Sequence, residues 1–271
     1  MPSVPRAMMR ATSAAIAGPG EITATISTKA KDRKTSCSKG SHQHGDGLFE
    51  IALQRPQQLR TQCTVDDAVW TLALIAGPDG VDAGCAPVPL GDPGSVDIGA
   101  LRVGAVRADP SWSPADSTAE AVDRALACLR DAGARVVDGP PPSHLDESLD
   151  VTLRYWRRAA HDPQLTGAEV DVQLRDWDRF ASRFARLAAD VDVVIGPVVR
   201  DVAPLARPLG GDDYVFTLPW SLAGWAAVSL PAGTDPTTGL PLAVQIAAPR
   251  WHDHVALAVA AHLERAWAER G

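Results

Sequence analysis

Lysine is almost missing from this sequence, and the little there is lies at one end. The four lysines are Lys29, Lys31, Lys34 and Lys39, and positions 40–271 contain none. Chemistry that needs a lysine amine is therefore excluded from everything after residue 39. Aromatics are scarce in the opposite place. Phe49 is the only aromatic in residues 1–60, whereas all eight tryptophans lie beyond residue 60. No window holds the run of about 18 apolar residues that a membrane helix needs. The four cysteines (Cys37, Cys63, Cys85, Cys128) form no close-set framework, which argues against a disulfide scaffold and for reduced thiols in a cytoplasmic protein. The sequence also lacks a Gly-x-Ser-x-Gly elbow, a Walker loop and a glycine pattern for dinucleotides.

What is present divides into two compositions. Residues 1–60 carry nine basic and four acidic side chains, and residues 61–271 carry 17 basic and 29 acidic ones. The overall charge of -7 argues against non-specific nucleic-acid binding. The first part is rich in Ser, Thr, Lys and Gly between Thr23 and Gly47. So little apolar surface does not offset the entropy of ordering, so residues 1–60 are expected to be a disordered tail. Arg6 and Arg10 precede an apolar stretch too short and too interrupted for a secretory signal. Cys37, His42 and His44 lack the spacing of a metal knuckle and read as tail residues. No cofactor and no metal is expected.

Residues 61–271 read as layered α/β. Thr64-Val65-Asp66-Asp67 is a capping box that opens a helix, with Gly77-Pro78 to stop it. Leu101–Val106 alternates as a strand. Ser117-Thr118-Ala119-Glu120 is a second capping box, whose helix ends at Gly133, and Arg135–Asp138 is a short strand. Strand, helix and strand together make a βαβ unit with parallel neighbours. Residues 144–160 and 166–189 have helical spacing. The second carries an apolar stripe of Val170, Leu174, Trp177, Phe180, Phe184 and Leu187, expected to pack on a core. Val191–Ile195 is a buried strand, followed by a Pro-rich loop to Pro208. Trp225–Pro231 and Leu242–Ala247 are strands joined by a turn over 234–239. A last helix spans Asp253–Ala268, with Asp253 or His252 as its cap.

Several of these segments resemble the amidase signature family. They are Thr64-Val65-Asp66-Asp67-Ala68 running into Ile75-Ala76-Gly77-Pro78-Asp79, the strand Leu101–Val106 with its following helix, and Asp192-Val193-Val194-Ile195-Gly196-Pro197 with its Pro-rich loop. The most specific is Gly224–Gly233 followed by Gly239-Leu240-Pro241-Leu242-Ala243-Val244-Gln245-Ile246. It is similar to the family's ending, G-x-P-A-x-S-x-P-x-G followed by G-L-P-x-x-x-Q. Five pieces in the right order, over roughly residues 64–268, agree with one another. The sequence departs from the pattern at Ala226, where the family usually has Pro, and at Ser221, where it often has Asn.

The resemblance implies a partial amidase-signature fold, a mixed sheet flanked by helices, with residues 61–271 as the later part of the domain. It implies hydrolysis of carbon–nitrogen amide bonds in small molecules by the parent family, through two serines and a proton-shuttling lysine. Those residues sit upstream of the matched segments, in two Gly/Ser-rich loops that residues 1–60 do not contain. Lys34 and Lys39 near Ser36, Ser38 and Ser41 have nothing to bury the amine and lower its pKa. No catalytic residue is therefore assigned. Ser221, Gly224 and Ser229 are expected, by resemblance alone, to line the wall of the substrate cleft. Two readings follow. One is a truncated, inactive amidase chain, with a foreign segment read in place of the catalytic core. The other is a non-catalytic binding or partner module, such as a relative of the aminoacyl-tRNA amidotransferase A subunit. Neither a nucleic-acid nor a membrane partner is expected, and no motif sets an oligomeric state.

Overall fold

The computed structural model describes residues 64–81, 85–106, 109, 111–137, 145–159 and 162–269. The expectations placed on residues 1–60, including the disordered tail, the Cys37/His42/His44 group and the Lys34/Lys39 pair, lie outside these residues.

The first helix, α1 (Val65–Ile75), opens on the expected capping box. The Asp67 carboxylate accepts from the Thr64 backbone N–H at 2.9 Å, and Thr64 Oγ1 accepts from the Asp67 N–H at 3.2 Å. Two donors that the helix start leaves orphaned are thereby satisfied. β1 (Arg102–Ala105), α2 (Asp116–Asp131) and β2 (Arg135–Val136) form the βαβ unit, and β1 and β2 are parallel as expected. α3 (Leu145–Ala159) and α4 (Gly167–Leu187) follow, then β3 (Val193–Pro197). A short helix α5 (Leu218–Ala223) leads into the hairpin of β4 (Ala226–Thr234) and β5 (Pro241–Ala248), and α6 (Asp253–Ala268) ends the described fold.

Among the described residues the strands form one mixed sheet of order β2-β1-β3-β5-β4. β1 pairs with β3 in parallel, and β5 runs antiparallel to both β3 and β4. Alternation along the strands sorts the side chains into two cores. Val103, Val193, Ile195, Leu230, Leu242, Val244 and Ile246 face α2 and α6, where Ala121, Val122, Ala125, Leu126 and Leu129 present the expected face. Val194 and Ala247 face the other way, toward α3, α4 and α5, and meet Phe180, Phe184, Trp220 and Trp225. β3 is buried along its whole length because both of its faces are covered.

Three expectations need correction. The second capping box does not form. α2 starts at Asp116 with Ala115 at the N-cap and no side-chain cap, because Ser117 hydrogen-bonds instead to Asp235 on the distant hairpin. The apolar stripe of α4 packs only in its second half. Phe180 and Phe184 are fully buried, but Leu174 is exposed and Gln173 occupies the buried position beside it. His252 holds the N-cap position of α6 without a side-chain cap bond; its Nδ1 lies 2.9 Å from the Arg250 carbonyl oxygen. Between the Pro-rich loop and β4, where the sequence reading places no element, lies the helix α5.

Candidate substrate-cleft wall

The three residues expected at the cleft occupy one joint of the fold. Ser221 is half-buried near the end of α5, Gly224 is the C-cap of that helix, and Ser229 is exposed on β4. Gly224 has φ +66°, the left-handed conformation that lets a chain leave a helix at once. Its N–H donates to the Ser221 carbonyl at 3.2 Å. A Cβ there would lie 2.6 Å from Arg250 Nε, which donates to the Ala223 carbonyl at 2.9 Å. The backbone thus demands glycine, and any Cβ would also displace the guanidinium packed on it.

Ser229 alternates with Val228 and Leu230, which turn toward the α2/α6 core. Its own side chain therefore stands on the sheet face that carries α5, the same face as Ser221's helix. The register sets Ser229 opposite Gln245, and Gln245 opposite Gly196. At this row the covering layer recedes: Ala227 is half-buried, while Ser229 and Pro231 are exposed. Ser229 and Pro231 thus stand on an uncovered stretch of this sheet face, next to the buried amide of Gln245. Gln245, facing Ser229, is an amide that takes up no proton at neutral pH.

The carboxyl ends of the parallel strands lie beside this stretch. β1 leaves toward α2 on one face, while β3 leaves toward α5 on the other. In open α/β sheets, ligands settle at the crevice created by such a divergence. Two loops meet there. The Ala115 N–H donates to the Arg200 carbonyl at 2.8 Å, and Arg200 Nε donates to the Ser113 carbonyl at 3.1 Å. Further along, Arg207 grips Asp213 with both terminal nitrogens, at 2.5 and 2.9 Å. That guanidinium, followed by the Gly210 N–H, holds the Asp213 carboxyl down at about 2. No sequence pattern singles these residues out, because their partners are set by loop geometry. Gln245 carries a signal that sequence alone offers: one amide inside the apolar run 242–248.

His252 and His254 stack at 5.9 Å between ring centroids. Among the described residues no three His, Cys, Asp or Glu side chains converge as a metal site, and no helix is long and apolar enough to cross a membrane.

Known proteins share this fold. Residues 168–257 match the family model described as Amidase. The putative amidase AmiA2 of Mycobacterium tuberculosis (strain H37Rv) is 33% identical over 83 residues, 27% of this chain and 17% of the relative. Among solved structures, 6-aminohexanoate cyclic dimer hydrolase superposes with a TM-score of 0.61 at 24% identity, over 75% of this chain and 53% of that one. The Thermotoga maritima glutamyl-tRNA(Gln) amidotransferase A subunit gives 0.62 at 18% identity, over 74% and 51%. Fatty acid amide hydrolase gives 0.62 at 17%, over 74% and 46%. The fold is that of these proteins, and residues 168–257 are similar to the amidase family. The chain spans about half the length of the solved structures it matches and 17% of the curated relative.

Proposed function

We propose that residues 64–269 supply the cleft wall of an amidase and not its nucleophile, so that this chain alone does not hydrolyse amides. The match over 168–257 carries the reading, because it covers β3, the Pro-rich loop and the β4/β5 hairpin that bound the open face. The lysine that the resemblance calls for cannot come from this region, since positions 40–271 have none. The substrate class is a small-molecule amide, Ser229 and Ser221 offer hydroxyls to it, and the protein works in the cytoplasm. The outward face of α1 fits a fold that continues elsewhere: Trp70 and Leu74 are 73% and 83% exposed. The test is an amide-hydrolysis assay on the purified full chain over small aryl and aliphatic amides. No turnover is expected. Turnover abolished by a serine-directed reagent would overturn the reading.

A second reading, a non-catalytic module, is favoured by the finish of the β4 edge. Pro231 sits on this terminal strand, the register shifts between Pro231 and Thr234, and Arg124 Nη2 caps the Ala232 carbonyl at 2.9 Å. Such features protect a sheet edge that faces solvent. A sharp, cooperative thermal transition in a monomer would favour the module, and a broad one with aggregation the incomplete enzyme.

A further inference from the structure

Gln245 is 3% exposed in a strand whose other buried residues are apolar. A buried amide is costly unless its polar atoms are bonded. Here the Nε2 group donates to two backbone carbonyls, Pro197 at 2.9 Å and Phe216 at 2.6 Å. Both acceptors are carbonyls, so only the NH2 end of the side chain can face them. The Phe216 carbonyl also accepts from Trp220 Nε1 at 3.1 Å.

The two carbonyls are far apart in the chain but bracket one segment. Pro197 is the last residue of β3, and Phe216 lies two residues before α5. The stretch between them, 198–215, leaves the sheet and returns to it at one side chain. It exposes Val199, Leu205 and Leu209, with Leu205 93% exposed. Gln245 is also the register partner of Ser229. The side chain that closes the base of this loop therefore shares a row with the exposed Ser229.

We propose that Gln245 is a positioning residue: its amide fixes both ends of segment 198–215 and so sets where this wall stands over the Ser229 row. The functional meaning of that role rests on the cleft reading above, but the role itself is a property of the loop. Gln245→Leu keeps the volume and removes both donors. Gln245→Glu keeps one donor while protonated and none once ionised.

The test is native-state trypsin cleavage of the full chain after Arg200. Arg207 precedes Pro208, which trypsin does not cut, so the enzyme reads a single bond in this loop. In Gln245→Leu the cleavage rate rises about tenfold, while hydrogen-exchange protection of α2 and α6 is unchanged. In Gln245→Glu the rate, normalised to a reference peptide, climbs from pH 5 to pH 8 as the buried acid ionises, and wild type shows no such climb. If Gln245→Leu does not fold, the pH series on Gln245→Glu decides alone. Unchanged cleavage in the variants, or cleavage that rises together with exchange throughout α2 and α6, overturns the proposal. Acetanilide binding to wild type is measured separately. A loop response without acetanilide binding supports the role of Gln245 and counts against the cleft reading.

Discussion

The Asp192 carboxylate takes three hydrogen bonds from Arg102: Oδ2 accepts from the backbone N–H at 2.8 Å and from Nε at 3.1 Å, and Oδ1 accepts from Nη2 at 2.7 Å. The same guanidinium donates through Nη1 to the Ala189 carbonyl at 2.6 Å. One residue thus ties the start of β1 to the start of β3. Arg102 holds the Asp192 carboxyl below its ordinary range against an opposing push from burial. A depressed carboxyl pKa contributes stability above the unfolded-state value, and that stability is lost as pH falls through the folded value. The pair is about a third exposed, so water screens it. Asp192→Asn is expected to cost about 1 kcal/mol at pH 7 and less at pH 3, as wild type loses the same contribution in acid. Urea titrations at the two pH values check this.

Phe184 sits at the centre of the second core. It stacks on Phe180 at 4.9 Å and meets Trp220 and Trp225 edge-on at 5.6 and 6.0 Å. Phe184→Ala leaves a cavity that four elements cannot close together, and it should cost about 3–5 kcal/mol. Phe184→Leu should cost less than half of that. Thermal unfolding followed by near-UV circular dichroism measures both.

Gly224→Ala should destabilise the fold by about 1–2 kcal/mol from the left-handed backbone alone. It should cost more because Arg250 must withdraw from the Ala223 carbonyl. The double variant with Arg250→Ala separates the two effects. If its loss equals the sum of the single losses, the steric account of Arg250 is wrong.

Asp235 organises the β4/β5 turn. Its Oδ1 accepts from the N–H groups of Thr237 and Thr238 at 3.1 and 2.7 Å, and from Thr238 Oγ1 at 2.8 Å. The Thr238 bonds, then Ser117, hold its carboxyl below the usual range. The turn should loosen in acid and be firm at neutral pH. Asp235→Asn keeps an accepting oxygen and should preserve the turn, whereas Asp235→Ala should raise amide exchange across 235–240.

The exposed face of α1 should govern solubility and not stability. Trp70→Glu with Leu74→Lys should raise the soluble yield of the chain while shifting its stability by less than about 0.5 kcal/mol. A large loss of stability would mean that both side chains pack where the described fold leaves them open.

The local parts of this structure are legible in the sequence. The Thr64/Asp67 box forms as its residues predict, and α6 has the bounds Asp253–Ala268 that its pattern gives. A third box, Thr166/Glu169, is equally visible in Thr-Gly-Ala-Glu and forms with a 2.7 Å bond. What a local pattern misses is a competing partner far along the chain. Ser117 has the pattern of a cap and serves Asp235 instead. Leu174 has the spacing of a core residue but lies on the half of α4 that no sheet covers. For the candidate site, Ser221, Gly224 and Ser229 are reachable through resemblance. The Arg250 contact and the Gln245 bridge are not, because each depends on which strands become neighbours.

The parallel pairing of β1 with β3 also dictates an order of assembly. Val103 meets Val193 across 90 positions of chain, whereas the β4/β5 hairpin closes over a turn of a few residues. Closing the long loop has an entropy cost that only distant contacts then offset. Hairpin and helices are therefore expected to form early, and the β1–β3 seam after them. Until it closes, the Arg102–Asp192 clasp has not formed. Its removal should therefore leave the folding rate nearly untouched and speed unfolding alone.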